Sequence, residues 1–158
     1  MIRQTIFYYV ENLITDLRYT VESIDLSVLE RIVGRIYNCA GHIYVTGIGK
    51  SGIAAHKFAA SLSSIGIASH FIHATEALHG DCGSITSNDI LIAFSDSGET
   101  IEVLALIRTL QRQERNNVII SIVGEEKSSI AQISDYTLST NVIRDDTIFT
   151  YVPTTSTI

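Results

Sequence analysis

The chain has 158 residues, 46% of them hydrophobic and 18% charged, and a net charge of -6. That length supports one substantial core, and the eleven Lys and Arg are scattered, which excludes the basic footprint of a nucleic-acid binder. Acidity does not exclude a phosphate ligand, because backbone amides bind one locally.

The stretch from Met1 to Tyr19 is apolar but interrupted by Glu11 and Asp16. It has no apolar run of membrane-spanning length and no small-residue cleavage site, so neither a membrane segment nor a targeting signal is expected. Ile2, Ile6, Val10, Leu13, Ile14 and Leu17 recur near helical spacing and predict an amphipathic helix within residues 1–24. A second helix begins near Asp25, with Leu26, Leu29, Ile32, Val33 and Ile36 as its apolar stripe and Gly41 as its stop. The β-branched run from His42 to Gly47 reads as a strand. An alanine-rich helix is expected from Ile53 to Ile65, then a strand from Ile67 to Ile72. His73 to Ile85 reads as irregular. Asp89 to Ser95 is a nearly continuous apolar run, the mark of a strand covered on both faces. A helix from Glu99 to Gln113, a strand from Val118 to Val123, a short helix from Ser128 to Ile133 and a strand from Tyr136 to Ser139 complete the pattern.

Strands alternating with helices imply an α/β fold, a three-layer αβα sandwich around a parallel sheet with right-handed crossovers. No low-complexity linker divides the chain, so a single domain over 1–158 is expected, with an N-terminal helix in 1–24 and the sheet and covering helices in 25–158. Cys39 and Cys82 lie far apart and form no disulfide or metal-thiolate pattern, which fits reduced thiols in a cytoplasmic protein. The apolar content and low charge also suggest hydrophobic surface buried between subunits.

In open parallel sheets, ligands collect at the carboxyl ends of the strands, and the polar, glycine-containing segments of this sequence fall there. The first is Thr46-Gly-Ile-Gly-Lys-Ser-Gly52. Gly47, Gly49 and Gly52 permit a tight turn whose amides face an anion at a helix N-terminus. Ser51 adds a hydroxyl, and Lys50 a point charge or a group to polarise a sugar oxygen. A nucleotide P-loop would need glycine where Tyr44 stands. The dinucleotide glycine spacing is met, but Ile72 occupies the place of the ribose-binding acid. A turn with no ligand is the remaining alternative.

The second segment is Ser95-Asp-Ser-Gly-Glu-Thr100. Ser95, Ser97 and Thr100 supply three hydroxyls beside a helix N-terminus, a phosphate cradle that needs no arginine. The alternative is a capped turn in which Ser97 or Thr100 caps the helix. Glu99 and Glu102 share one face of the first helical turn. Either could act as general base, or could simply complement the helix N-terminus. Between the two loops, Glu76, His79 and Asp81 offer acid–base groups. His79 is the best histidine candidate, against a role in stabilising its loop. His70, His73, His79 and Asp81 match no common metal spacing, so no metal is expected.

Together, Gly47-Ile-Gly-Lys-Ser-Gly52, Glu76-Ala-Leu-His-Gly-Asp81, Ser95-Asp-Ser-Gly-Glu-Thr100 and Pro153-Thr-Thr-Ser-Thr157 resemble the sugar isomerase (SIS) domain family, in its arabinose 5-phosphate isomerase branch. The resemblance covers about residues 25 to 158. It implies a flavodoxin-like five-stranded parallel sheet and interconversion of ribulose 5-phosphate and arabinose 5-phosphate through a cis-enediol, feeding the octulosonate sugar of lipopolysaccharide or capsule. It implies no cofactor, a small-molecule sugar phosphate as ligand, and a homo-oligomer, dimer or tetramer. By the family pattern Gly49, Ser51, Ser95, Ser97 and Thr100 hold the phosphate, and Lys50, His79, Glu102 and Asp145 surround the sugar.

Some features depart from that pattern. Asp145 stands where the family carries glutamate, and Asp96 where asparagine is common. The sequence stops at Ile158, before the family's next helix, its His-Pro-Gly segment and the CBS domains of longer relatives. Two expectations follow: a small isomerase that assembles its site across subunits, or a non-catalytic phosphosugar-binding domain or truncated remnant.

Overall fold

The structure, a computed structural model, describes residues 2–140. Asp145 and the Pro153–Thr157 segment lie outside the described residues. Five strands, β1 (Ile43–Thr46), β2 (Ser69–Phe71), β3 (Ile90–Ser95), β4 (Val118–Val123) and β5 (Tyr136–Ser139), form one sheet in the order β2-β1-β3-β4-β5. Every pairing is parallel. This is the expected three-layer α/β architecture.

The layers follow from side-chain alternation. On one face Ile43, Val45, Ile90, Ile92 and Ile120 pack with Ile32 of α2 (Leu26–Tyr37) and Ala55, Ala59 and Leu62 of α3 (Gly49–Ser64). On the other, Leu91, Ala93 and Ile119 pack with Ala74 and Ala77 of α4 (Ala74–Leu78), Val103, Leu106 and Ile107 of α5 (Ile101–Arg112) and Ile130 of α6 (Ser129–Gln132). Neighbouring residues of β3 thus serve opposite cores, which explains its unbroken apolar run.

Helix α1 (Ile2–Ser23) buries no residue. Its apolar stripe lies largely in the open: Ile2, Ile6, Val10 and Ile14 are exposed, and Leu13 and Leu17 are half-buried. Asp25 starts α2 by accepting the amides of Ser27 at 2.8 Å and Val28 at 3.2 Å. The Ser27 hydroxyl and these two amides hold its carboxyl below the ordinary aspartate value.

Two differences from the sequence expectation bear on the site. Helix α3 starts at Gly49 rather than near Ile53, so Lys50 and Ser51 belong to its first turn. Close packing overrides the poor helix propensity of glycine here. A Cβ on Gly52 would stand 2.8 Å from the Gly47 carbonyl oxygen, and one on Gly47 would stand 2.8 Å from that of Ser51. Only glycines let the turn fold back onto the strand exit. The segment read as irregular contains α4 and a single 3-10 turn over Asp81–Ser84.

The order β2-β1-β3 is what creates a site. The chain leaves β1 towards one side of the sheet to form β2 and returns on the other side as β3. The loops after β1 and β3 therefore part in opposite directions and leave a crevice between them.

Candidate functional site

The segments after β1 and β3 begin beside one another, since Thr46 is in register with Ala93. The first enters α3 on one face of the sheet, and the second enters α5 on the other. The positive ends of both helices, with their unpaired first-turn amides, point to the carboxyl edge.

A cleft of about 550 Å³ opens at this edge on the α3 side. Lys50, Ser51, Ser95 and Asp96 line its polar part, and Gly124 lies at the exit of β4. Ile53, Phe58, Phe94 and Ile122 form its apolar wall, with Phe58 and Phe94 at 5.5 Å between ring centres. Lys57 also lines it, donating from Nζ to the Ser61 hydroxyl at 3.0 Å. Lys57 is a site residue beyond those expected from the loops, and it follows Lys50 by two helical turns and so lies on the same face.

The β3–α5 loop is braced from within. The Ser95 and Thr100 hydroxyls hydrogen-bond each other at 2.8 Å, and the Gly98 amide donates to Ser95 Oγ at 3.0 Å. Ser95 is buried. Ser97 is exposed; its Oγ accepts the Glu99 amide at 3.2 Å, which leaves its own proton to donate. Thr100 is the N-cap of α5 but makes no side-chain cap bond.

Three further bonds tie this loop to the chain after β4. The Gly124 amide donates to Asp96 O at 2.9 Å, the Ile130 amide to Gly98 O at 3.0 Å and the Ser129 amide to Glu99 Oε1 at 2.7 Å. The Ser129 amide, with the Ser129 side chain, holds the Glu99 carboxyl below the usual glutamate value. Of the two glutamates, Glu99 is committed to bracing, while Glu102, half-buried in the first turn of α5, is not.

Gly98 has φ of +65°, and a Cβ there would stand 2.2 Å from Ser128 Cβ and 1.9 Å from its Oγ. Left-handed backbone and overpacking together predict that Gly98→Ala costs about 2–3 kcal/mol. Urea unfolding measures this, and the further substitution Ser128→Gly is expected to recover the packing part. An unchanged denaturation midpoint for Gly98→Ala would contradict the tight loop.

The candidate residues are thus divided. Lys50, Ser51 and Ser95 share the cleft, with Gly49 at the start of the same helix. Ser97, Thr100 and Glu102 sit on the adjoining loop and helix start but do not line it. His79 is the exposed C-cap residue of α4, the helix that packs on α5. Ile72, in the place of a ribose-binding acid, is buried in the core. Among the described residues, no group of three or more His, Cys, Asp or Glu is arranged to hold a metal, and no helix is long and apolar enough to cross a membrane.

Comparison with known proteins identifies relatives of this chain. The arabinose 5-phosphate isomerase KpsF of Escherichia coli is 40% identical over 136 residues, covering 86% of this chain but 42% of its own length. The arabinose 5-phosphate isomerase KdsD of Salmonella typhi is 41% identical over 123 residues, covering 78% of this chain and 37% of its own. The chain therefore spans about two fifths of these curated relatives. A solved structure from E. coli CFT073, in complex with arabinose 5-phosphate, superposes with a TM-score of 0.90 at 32% identity, covering 99% of this chain and 81% of that one. Residues 36–158 match the SIS domain, and with the parallel sheet and its paired strand-end loops, the chain belongs to the SIS domain family.

Proposed function

We propose that this chain is the sugar-phosphate isomerase domain of an arabinose 5-phosphate isomerase, interconverting D-ribulose 5-phosphate and D-arabinose 5-phosphate. The observation that carries the reading is the cleft at the switch point, where Lys50, Ser51 and Ser95 meet beside two helix N-termini. The two curated arabinose 5-phosphate isomerases support it.

An aldose–ketose isomerase takes a proton from one carbon and returns it to its neighbour, while a hydroxyl proton moves between the two oxygens. Both directions pass through a cis-enediol. In this reading the phosphate lies against the first-turn amides from Gly49 to Ser51 and the hydroxyls of Ser51, Ser95, Ser97 and Thr100. Lys50 offsets the charge that develops on the sugar oxygen. Glu102 carries the carbon-bound proton, and His79 relays the hydroxyl proton. Asp145, outside the described residues, is the remaining acid assigned to the sugar by the family pattern. The reading includes a cytoplasmic homo-oligomer, dimer or tetramer, and the uncovered apolar residues of α1 are consistent with assembly.

A second reading, a domain that binds a phosphosugar without converting it, is favoured by one observation. Glu102 and His79 do not line the cleft that holds Lys50. One experiment separates the two. The purified chain is mixed with ribulose 5-phosphate, arabinose 5-phosphate is followed by ¹H NMR, and the phosphate is followed by ³¹P NMR. Product growing with protein concentration is the expected outcome. A shifted phosphate resonance with no product would move the assignment to the binding domain. Neither product nor shift would sink both.

A further inference from the structure

A cluster outside the cleft has no part in the proposed chemistry. His42 directly precedes β1, and His70 is central in β2, the edge strand. Tyr44 is in register with His70, and His42, two residues before Tyr44, shares its face of the sheet. Both histidines are exposed. Their ring centres are 5.3 Å apart, and Tyr44 flanks them at 5.9 Å from His70 and 6.4 Å from His42.

That separation has a chemical meaning. Two imidazoles on one ion, each nitrogen about 2.0–2.1 Å from it at a near-tetrahedral angle, put their ring centres roughly 5 Å apart. The second feature is Asp89, whose buried carboxylate lies behind His42, with Oδ1 at 3.6 Å from Nδ1. Asp89 is itself fixed, accepting the His42 amide at 2.7 Å and the Thr86 hydroxyl at 2.9 Å. At 3.6 Å the contact is electrostatic and not a hydrogen bond, and the buried negative charge beside the ring favours a cation at His42.

We propose that His42 and His70 form a two-histidine site for a late first-row divalent cation, Zn²⁺ or Ni²⁺, which clips the edge strand β2 to β1. Imidazole nitrogen suits these ions better than the hard cations. The two imidazoles are the protein's whole inner contribution, because no third His, Cys, Asp or Glu among the described residues joins them. Water fills the remaining positions. The Tyr44 hydroxyl is engaged elsewhere, donating to Ser84 O at 3.3 Å. Strand β2 has three residues and, among the described residues, pairs with β1 alone, so a cross-strand ligand pair there adds order where the sheet has least. The site is independent of the isomerase reading.

The test is calorimetric titration of the untagged full-length chain with Ni²⁺, repeated with Zn²⁺, at neutral pH. One equivalent is expected to bind and to raise the melting temperature, since an ion that binds the folded form stabilises it. His42→Gln or His70→Gln removes one of two linked ligands and is expected to weaken uptake on the order of 10²-fold. His79→Gln, at the C-cap of α4 rather than on the face shared by β1 and β2, is expected to bind as the parent does. Both variants of the pair sit at exposed positions, and circular dichroism confirms that they fold. Paramagnetic broadening by Ni²⁺ in an amide NMR spectrum should centre on residues 42–44 and 69–71. Failure of the parent to bind, uptake surviving in His42→Gln or His70→Gln, or uptake lost in His79→Gln would each overturn the proposal.

Discussion

Glu102→Gln is expected to slow isomerisation on the order of 10²–10⁴-fold, the usual contribution of a positioned general base, with little change in phosphate affinity. Glutamine keeps the size and reach of glutamate but cannot take a proton from carbon. The phosphate is assigned to the loop hydroxyls and first-turn amides, so its binding should survive. The fold should survive too: a negative charge in the first turn of a helix is worth about 0.3–1 kcal/mol, and Glu102 is only half-buried. Glu99→Gln is the internal control. Glu99 accepts the Ser129 amide and so braces the loop without facing the cleft. Its loss should loosen phosphate binding and raise KM, leaving kcat nearly intact. Steady-state kinetics with both variants gives the answer. A Glu102→Gln enzyme with undiminished kcat would remove the carboxylate from the chemistry.

The contrast between these two glutamates shows what sequence can and cannot convey. Three residues apart on one helical turn, they are equivalent by spacing, and reading them as alternatives is as far as periodicity reaches. What separates them is the Ser129 amide, 30 positions further on, and local sequence cannot see a tertiary partner. The same holds for Ser95 and Thr100. Their residue types suggest phosphate ligands, yet in the folded chain each hydroxyl already has the other as partner.

The sheet was far more legible. Strands β1, β3 and β4 follow from apolar runs, because burial on two faces leaves an unambiguous pattern, whereas β2, with His70 exposed, and the half-buried β5 carry a weaker one. Strand order was the harder part. Alternating elements imply a parallel sheet, but no pattern of residues along the chain sets the order β2-β1-β3-β4-β5. The α1 stripe shows the opposite failure. Ile2, Ile6 and Val10 have helical spacing and are exposed nonetheless. Periodicity identifies an apolar face but not which surface covers it.

Asp89→Ala should be among the most damaging single changes to stability, about 3–4 kcal/mol, for reasons that also make it pH-dependent. The side chain is 2% exposed. Its carboxylate receives the His42 amide, the Thr86 amide and the Thr86 hydroxyl. It thereby joins the turn before β3 to the entry of β1. Hydrogen bonds to a charged group contribute about 1.5–3 kcal/mol each, and water reaching the exposed loop around Thr86 replaces part of the loss. Burial alone would raise the carboxyl pKa, but the amides of His42 and Thr86, the Thr86 hydroxyl and the His42 ring outweigh it and hold the group below the ordinary aspartate value. The sign is then fixed. A folded pKa below the unfolded one gives stability that is fully present above the unfolded value. It is lost as pH falls through the folded value, because the unfolded chain takes up the proton first. Urea unfolding between neutral pH and about pH 2.5 should therefore show parent and Asp89→Asn stabilities converging below the ordinary aspartate range. Asparagine supplies one acceptor oxygen but turns an amide donor towards groups that are themselves donors, so it should be weaker at neutral pH and flatter in acid. A constant gap between the two curves across that range would mean that the charge on Asp89 contributes nothing. The carboxylate would then act by shape alone.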